Sequence, residues 1–310
     1  MLLDPEALAL AGGVERLLGP PGLKTELFSC LVETNTRVCE TADELLDELV
    51  RLRELARGRA QETDLAVAAT GSHPFSQPED QEIVEEPRYL AMLAERPTAR
   101  RQLVCGLHVH VGMTSFEHCV ATLEAILPWL PAVLALSVNS PYLDGAEPGS
   151  LSGRAGRLLE LPRAGAPPVL DSVAAWESVV ATAGGDYTRI WWDIRPHPRL
   201  GTLEVRIADQ QTSVTRAAAF AALVQALCVA ALPRDEPLPR NLYLEQRAAA
   251  ARGLAPTHEL LELIEPAARE LDSWDLVAVL RGPPEAMRQL EVGERNGPKA
   301  VAADLLARSE

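Results

Sequence analysis

Two short segments with strict alternation constrain the fold of this chain most strongly. They are residues 105–111 (CGLHVHV) and 201–207 (GTLEVRI). Each alternates apolar and polar residues with a period of two, which is typical of a strand that buries one face. The polar face carries His108 and His110 in the first segment, and Glu204 and Arg206 in the second. If both strands belong to one sheet, these groups share a face, and we expect an enzyme site there.

Composition limits the classes of function. The chain has 310 residues, 47% of them hydrophobic, which suffices for one large α+β catalytic domain. A net charge of −15 disfavours nucleic-acid binding, because that function needs a basic surface. A phosphate-bearing substrate remains compatible if local arginines and a bound cation offset the acidic field.

The cysteines and the hydropathy pattern predict a compartment. Five cysteines are scattered without a CxxC motif, which disfavours a disulfide framework and favours the cytoplasm. No signal peptide and no apolar run of membrane-spanning length are recognised, so we expect no membrane association. The most apolar segment, 217–232, is predicted to be a buried helix.

The order of elements, strands first and then helices, favours an α+β fold on one sheet. Strands are predicted at 25–36, 65–70, 103–111, 190–195 and 202–207. Helices are predicted after a capping box at Thr41 and Glu44, near 115–126, 128–139 and 172–183, and from about 213 onward with breaks at 233–239, 253–256 and 282–284. Residues 144–170, which contain Arg154, are predicted to be a long irregular segment, and such segments are often functional.

The histidine pair alone does not define a site. Two imidazoles on one strand face can bind a metal ion, but such a pair is as often a satisfied structural feature. His73, His118, His197 and His258 lie at no zinc-like spacing, and the sequence has no HExxH motif. A metal-dependent hydrolase is therefore the weakest of the enzyme hypotheses.

Glu204 and Arg206 allow two interpretations. They could form only an exposed ion pair, which contributes little to stability. Alternatively, the carboxylate is a hard ligand for Mg²⁺ or Mn²⁺, and the guanidinium pairs with a transferred phosphoryl group. The sequence has neither a Walker A motif nor GxGxxG, so any use of ATP would need a different binding mode.

Glu26 and Glu33 flank an apolar run and pose a geometric problem. Charges at the ends of a strand usually mark where it meets solvent. Because the two glutamates are seven residues apart, a regular strand would point them to opposite faces. A shared site would therefore require a bulge or a bend between them.

Taken together, six blocks in order resemble the carboxylate–amine ligases related to glutamate–cysteine ligase type 2. The blocks are residues 26–36, 69–75, 105–112, 136–145, 191–206 and 241–254. The resemblance covers roughly residues 5 to 270. It implies a glutamine-synthetase-like α+β domain, in which a curved, mainly antiparallel sheet forms a funnel with helices packed outside.

The resemblance also implies a reaction. ATP would phosphorylate the γ-carboxylate of glutamate, and an amine, typically that of cysteine, would displace phosphate to give a γ-glutamyl amide. The family uses Mg²⁺ (or Mn²⁺) held by carboxylates and a histidine, and arginine to offset developing charge. The implied partners are small molecules, with a homodimer as a further implication.

The resemblance assigns roles to particular residues. The implied metal ligands are Glu26, Glu33, His108 and Glu204; the implied catalytic residues are Arg206, Glu204 and His108; the implied substrate-binding residues are Arg154, His110 and Asn139.

One departure from the family pattern keeps an alternative open. Relatives begin with a strand of the form Gly-Val-Glu-Glu-Glu-Phe, whose glutamates hold metals, and residues 1–310 are expected to be a single catalytic domain lacking that strand. A start assigned too late, a truncated chain and a degenerate paralogue all fit. Losing acidic ligands should weaken the binding of metal and ATP. The alternative is a noncatalytic relative that binds an amino acid or a protein partner.

Overall fold

The chain folds into an α+β structure, as expected. The computed structural model describes residues 1–233 and 236–309. The helices are α1 Ala42–Gln61, α2 Pro87–Glu95, α3 Phe116–Ile126, α4 Leu130–Ser137, α5 Gly153–Leu158, α6 Val173–Thr182, α7 Val214–Ala230, α8 Arg240–Ala250, α9 Thr257–Glu270, α10 Trp274–Val277, α11 Glu285–Asn296 and α12 Pro298–Arg308. The strands are β1 Leu2–Leu3, β2 Leu23–Thr25, β3 Val32–Thr34, β4 Ala66–Val67, β5 Val109–Gly112, β6 Ala164–Gly165, β7 Trp191–Trp192, β8 Ile194–His197 and β9 Thr202–Val205.

The two alternating segments do pair with each other. β9 lies at the centre of a three-stranded antiparallel sheet, with β5 on one side and β8 on the other. In this register Glu204 stands opposite His110 on β5 and opposite Arg195 on β8. Opposite residues on antiparallel strands point to the same face, so the sheet brings these side chains together.

The remaining strands form three further pairs. β1 pairs with β4 and β2 with β3, both antiparallel, whereas β6 pairs with β7 in parallel. Pairing is therefore mainly antiparallel, and the described strands form four hydrogen-bonded groups. Gly71 connects two segments between these groups: its carbonyl accepts from the Cys105 amide at 2.8 Å, and its amide donates to the Asn139 carbonyl at 3.0 Å.

Serine and threonine side chains begin five of the helices. Thr41, Ser115, Ser152, Ser172 and Ser213 each accept a hydrogen bond from an amide of the first turn. These bonds satisfy amides that have no partner within the helix. The predicted box at Thr41 is formed in part, because the Glu44 carboxylate accepts from the Glu40 amide, one residue before the cap.

Two apolar clusters form the interior. The first cluster surrounds α4, α7 and α9 and includes Trp176, Trp192 and Phe220; the second includes Leu2, Phe28 and Leu305. Helix α1 contributes to both, with Ala42 in the first and Ala56 and Ala60 in the second. The single-domain organisation stays a prediction, and this shared helix supports it.

Three predicted elements differ from the structure. Residues 25–36 are not one strand, because the chain turns between β2 and β3 and buries Phe28, Cys30 and Leu31 together. The segment 144–170 is not wholly irregular, since it contains α5 and β6. The strand predicted at 190–195 is interrupted at Asp193, whose carboxylate turns away to bind Arg247 and Tyr243 of α8.

The other predicted helices and helix breaks lie close to their expected positions. The breaks at 253–256 and 282–284 separate α8 from α9 and precede α11. Part of the break predicted at 233–239 lies outside the described residues.

One helical run has the length and composition of a membrane span, contrary to the sequence-based expectation. Residues Phe116–Ser137 have a mean hydropathy of 1.8, and 78% of that window is buried inside the protein. The run includes α3 and α4, with Pro128 in the turn between them and Pro131 in the first turn of α4. Burial in the first cluster accounts for its apolar composition.

Candidate functional site

Glu204 is the electrostatic centre of the antiparallel sheet. Its side chain is only 3% exposed, and two guanidinium groups bind it, one on each oxygen. Arg195 donates from Nε to Oε2 at 2.6 Å, and Arg206 donates from Nη1 to Oε1. Such charge-assisted bonds fix the carboxylate in position and orient both arginines.

The two histidines of β5 and its preceding residues adjoin this carboxylate. His108 Nδ1 lies 3.7 Å and His110 Nε2 lies 3.8 Å from Glu204 Oε1, and His108 Nδ1 lies 3.4 Å from Arg206 Nη1. Unlike Glu204, both imidazoles are open to solvent, with side-chain exposures of 38% and 32%. The structure therefore brings together the four residues that the alternating segments predicted, on an accessible face.

Burial and charge shape the ionisation of these groups. Burial opposes ionisation of Glu204, but Arg206 and Arg195 outweigh it and hold the pKa of Glu204 well below its usual range. The protein atoms around the partly exposed His108 ring exclude some of its water; this desolvation, then the positive charge of Arg206, lowers the pKa of His108 well below that of a free histidine. Burial also lowers the pKa of His110, although the Glu204 carboxylate partly offsets it. The face thus combines a fixed carboxylate, fixed guanidiniums and neutral imidazoles.

Glu26 and Glu33 form a second acidic group. The antiparallel pairing of β2 with β3 sets Glu33 opposite Lys24, and Glu26 follows the end of β2. Burial, then the neighbouring Glu33 carboxylate, raises the pKa of Glu26 to about 7. The parity problem therefore disappears, because the two glutamates lie on either side of a turn and not along one strand.

The acidic pair and Arg206 interact through their charges. The charge of Arg206 acts on Glu26 and favours its ionised form, which places the two within electrostatic reach. The Glu26 side chain is exposed to solvent and therefore accessible to a ligand.

The donor set fits a divalent cation at the acidic pair. Two carboxylates held close together repel each other, as the raised pKa of Glu26 shows, and a cation between them would remove that cost. Within residues 1–233 and 236–309, no three His, Cys, Asp or Glu side chains converge on one point. Mg²⁺ is commonly held by one or two carboxylates, with water and substrate phosphates completing its shell. The roles of Glu204 and His108 as ligands stay predictions.

Two of the predicted substrate-binding residues lie beneath the open face. Arg154 is 2% exposed, and its guanidinium donates to the backbone carbonyls of Arg206 at 2.9 Å and Ile207 at 3.1 Å. Asn139 is fully buried and donates from Nδ2 to the Gln210 carbonyl at 2.8 Å. Both hold the segment that follows β9, and their roles as substrate ligands stay predictions.

Several polar residues of this region had no role assigned from sequence. Arg195 is the main one, and His197 and Tyr187 extend the wall beside it. The His197 ring stands edge-on to the rings of His110 and Tyr187, at 5.1 Å between centroids in each case. Alternation along β8 places Arg195 on one face of that strand. The sequence did not show that β8 pairs with β9, so it could not show that Arg195 lies opposite Glu204.

Comparisons with known proteins identify the family. A family model described as glutamate-cysteine ligase family 2 (GCS2) matches residues 3–291. The chain belongs to this family.

Curated relatives in the GCS2 family align over most of the chain. A "Putative glutamate--cysteine ligase 2-3" of Rubrobacter xylanophilus is 35% identical over 99% of this chain and 93% of its own length. A second protein of that organism, named "Putative glutamate--cysteine ligase 2-1", is 33% identical over 88% of this chain and 81% of its own length. The "Putative glutamate--cysteine ligase 2" of Herpetosiphon aurantiacus is 37% identical over 74% of this chain and 62% of its own length.

A solved structure supports the GCS2 fold. The crystal structure of a bifunctional glutathione synthetase from Pasteurella multocida matches with a TM-score of 0.69 over 96% of this chain. Sequence identity is 13%, so the similarity concerns the fold alone. The chain spans about half of that protein, 49% of its length.

Proposed function

We propose that this GCS2-family chain is an ATP-dependent carboxylate–amine ligase that joins glutamate to an amine through its γ-carboxylate. Cysteine is the first amine to test, and the nucleotide and both amino acids are its small-molecule partners. The observation that carries the proposal is the open face on which Glu204 binds Arg206, with Glu26 within electrostatic reach of that arginine. Family membership supplies the reaction class. A cytoplasmic location and a homodimer belong to the same proposal.

The chemistry assigns distinct tasks to these groups. The γ-carboxylate of glutamate attacks the terminal phosphorus of ATP, forming an acyl phosphate and releasing ADP. The amine then attacks the acyl carbon, and phosphate leaves with its electron pair. A divalent cation at Glu26 and Glu33 would offset the negative charge of the phosphates. Arg206 is held by Glu204, and its fixed positive charge would stabilise the transferred phosphoryl group.

The imidazoles of His108 and His110 line the site as uncharged groups. The lowered pKa values of His108 and His110 keep both rings uncharged near neutral pH. A neutral ring accepts or donates a hydrogen bond without adding charge beside Arg206. In the proposed site His108 would be a metal ligand and His110 a substrate contact, and neither ring would compete with Arg206 for anionic groups.

The test is the release of ADP in the presence of Mg²⁺, glutamate and a panel of amines that includes cysteine. We expect release that requires both glutamate and one amine. Glutamate labelled with ¹⁸O in its γ-carboxylate should transfer one labelled oxygen to phosphate per turnover, because the acyl phosphate keeps that oxygen as the bridging atom.

Matched variants complete the test. Glu204→Gln should abolish release, whereas Glu270→Gln, an exposed glutamate at the end of α9, should leave it unchanged. Folded wild-type protein that releases no ADP with any amine would contradict the ligase. Binding of glutamate without turnover would then favour the noncatalytic relative.

A further inference from the structure

Three arginines lie near Trp191 at a place to which no role has been assigned. Arg96 ends α2, Arg163 immediately precedes β6, and Arg189 closes the 3-10 turn Tyr187–Arg189. We call these three residues the arginine cluster. Arg96 is 8% exposed, and its guanidinium lies 4.6 Å from the centre of the Trp191 ring. That stacking holds a cation in place with little freedom.

The backbone holds Arg163 in a strained conformation. Its φ is 57°, in the left-handed region that side chains other than glycine and asparagine rarely adopt. Such a conformation is unfavourable and persists only where the surroundings enforce it. Here the Arg163 carbonyl accepts from the Trp191 amide at 2.9 Å, and Arg163 Nε donates to the Arg189 carbonyl at 3.3 Å. These two hydrogen bonds therefore hold Arg163 next to Arg189 and Trp191.

The cluster is short of negative charge. The Glu95 carboxylate forms ion pairs with two of its members, Arg189 at 2.9 Å and Arg96 at 3.3 Å. The Asp186 carboxylate lies 3.7 Å from Arg189. Across the described parts of the chain, no carboxylate comes within 4.0 Å of Arg163. Burial, then the charge of Arg163, lowers the pKa of Arg96. Three guanidiniums and two carboxylates thus leave an excess of one positive charge here, in a chain whose net charge is −15.

The cluster adjoins the candidate ligase site through Arg195. The guanidinium that binds Glu204 also donates from Nη1 to the carbonyls of Ile190 at 2.6 Å and Tyr187 at 3.1 Å. The segment that carries Arg189 and Trp191 therefore wraps around Arg195. One short stretch of backbone connects the cluster to the central carboxylate.

We propose that the arginine cluster is an oxyanion-binding subsite beside the candidate active site. Its ligand is a small anion whose carboxylate or phosphate oxygens match the two terminal nitrogens of Arg163. A planar guanidinium binds such oxygens in pairs. The naming of the ligands as substrates rests on the proposed ligase function, whereas the binding itself does not.

The experiment measures anion binding directly. Isothermal titration and Trp fluorescence would follow glutamate, ADP and pyrophosphate at about 0.15 M salt, where exposed charges more than about 8 Å apart are largely screened. Variants are Arg163→Gln, Arg163→Lys and the control Arg295→Gln, which removes the same charge from a side chain that is 72% exposed on α11. We expect Arg163→Gln to weaken one class of anion at least tenfold, Arg163→Lys to recover only part of it, and Arg295→Gln to match wild type.

The three ligands distinguish the possible sources of the bound anion. Weaker glutamate binding alone identifies a substrate carboxylate, and weaker ADP and pyrophosphate binding identifies nucleotide phosphates. Equal affinities of wild type and Arg163→Gln for all three, or no binding by wild type, would overturn the subsite. Should Arg163→Gln fail to fold by circular dichroism, Arg189→Gln provides the same comparison.

Turnover of the wild type is measured separately, so the two proposals fail independently. Binding that depends on Arg163 without ADP release would refute the ligase and support the subsite. ADP release together with anion binding that does not depend on Arg163 would support the ligase and refute the subsite.

Discussion

Glu204 shows how one buried carboxylate governs a site. Its two oxygens neutralise Arg195 and Arg206, so Glu204→Gln leaves two guanidiniums without a counter-charge. Removing one partner of a buried ion pair costs about 3–5 kcal/mol. We expect the free energy of unfolding to fall by about that amount. Urea denaturation followed by circular dichroism measures the change.

The same variant used for activity thus needs a stability control. Glu270→Gln removes an exposed carboxylate and should change the free energy of unfolding by less than about 0.5 kcal/mol. A Glu204→Gln protein as stable as wild type would contradict the tight pairing of the three side chains.

His73 is expected to make stability depend on pH. It is 3% exposed, its Nδ1 accepts from the Ser76 amide at 3.2 Å, and its Nε2 donates to the Leu8 carbonyl at 3.0 Å. Burial lowers its pKa to about 4. The unfolded chain, with a pKa near 6.5, therefore binds a proton that the folded chain rejects between these values. The contribution of His73 to the free energy of unfolding is fully present above pH 6.5, and about 3 kcal/mol of it is lost as the pH drops to 4.

His73→Gln isolates this contribution. Glutamine does not titrate and can still donate to the Leu8 carbonyl, so we expect it to flatten the part of the stability profile between pH 6.5 and 4. Denaturant midpoints at several pH values give the slope for both proteins. Identical slopes would show that His73 is accessible to protons in the folded state.

The acidic pair should respond to metal. A cation that binds the folded protein at ten times its Kd stabilises it by about 1.4 kcal/mol. We expect Mg²⁺ to raise the melting temperature of wild type and Glu33→Gln to remove most of that rise. Magnesium-free, EDTA-treated samples provide the baseline. An equal rise in both proteins would place the cation elsewhere.

At this scale the sequence predicted the side chains but not all of their partners. Period-two alternation was enough to place His108, His110, Glu204 and Arg206 on one face, because strand geometry fixes parity. It could not reveal Arg195, whose proximity depends on which strand pairs with β9. Nor could it place Arg154, since a charged residue in a Gly-rich segment gives no indication of burial.

At the scale of elements, Gly71 marks a close approach of three segments. A Cβ there would lie 3.0 Å from Ser140 Cβ, 3.1 Å from the Asn139 carbonyl oxygen and 3.1 Å from Asp209 Cβ. Such overpacking costs about 1–3 kcal/mol. We expect Gly71→Ala to lower the free energy of unfolding by that amount, measured in urea.

Gly58 supplies a control of opposite sign. It lies within α1 with no atom within 4 Å of the added Cβ. Gly58→Ala should therefore stabilise the protein by about 0.5–1 kcal/mol through helix propensity. Equal effects of the two substitutions would contradict the crowding at Gly71.

Elements with strong local signals were predicted well, and those set by tertiary packing were not. Thr41, Ser115 and Ser172 cap helices that lie near their expected positions, because capping acts within one turn. The turn between β2 and β3 has no glycine or proline from 26 to 31. It is held by burial of Phe28 and by the Ser29 amide donating to the Glu82 carbonyl at 2.9 Å, and no local pattern records such a contact.

For the whole molecule, the shared helix α1 predicts one cooperative unfolding transition. Besides contributing apolar residues to both clusters, α1 carries Arg53, which donates to the carbonyls of Thr212 at 3.1 Å and Ser309 at 3.0 Å. Losing either cluster therefore exposes a face of the same helix. Stabilities coupled in this way appear as a single transition.

The chain contains separate probes for each cluster. Trp129, Trp176, Trp192 and Trp274 lie in or against the first cluster, so fluorescence reports its unfolding. Cys30 is 1% exposed in the second, so labelling of its thiol, read by mass spectrometry of its peptide, reports the other. We expect coincident urea midpoints. Separate midpoints would divide residues 1–310 into two folding units and contradict the single domain.

The buried guanidinium of Arg154 has a consequence for self-association. Beyond Val205, the Arg206 amide still donates to the Asp193 carbonyl at 2.8 Å, but the carbonyls of Arg206 and Ile207 accept from the Arg154 guanidinium. Unpaired carbonyls in an extended segment are templates on which a strand from another molecule can add. Arg154 caps two of them with donors that belong to the same chain. One buried side chain thus supplies donors that another strand could otherwise provide.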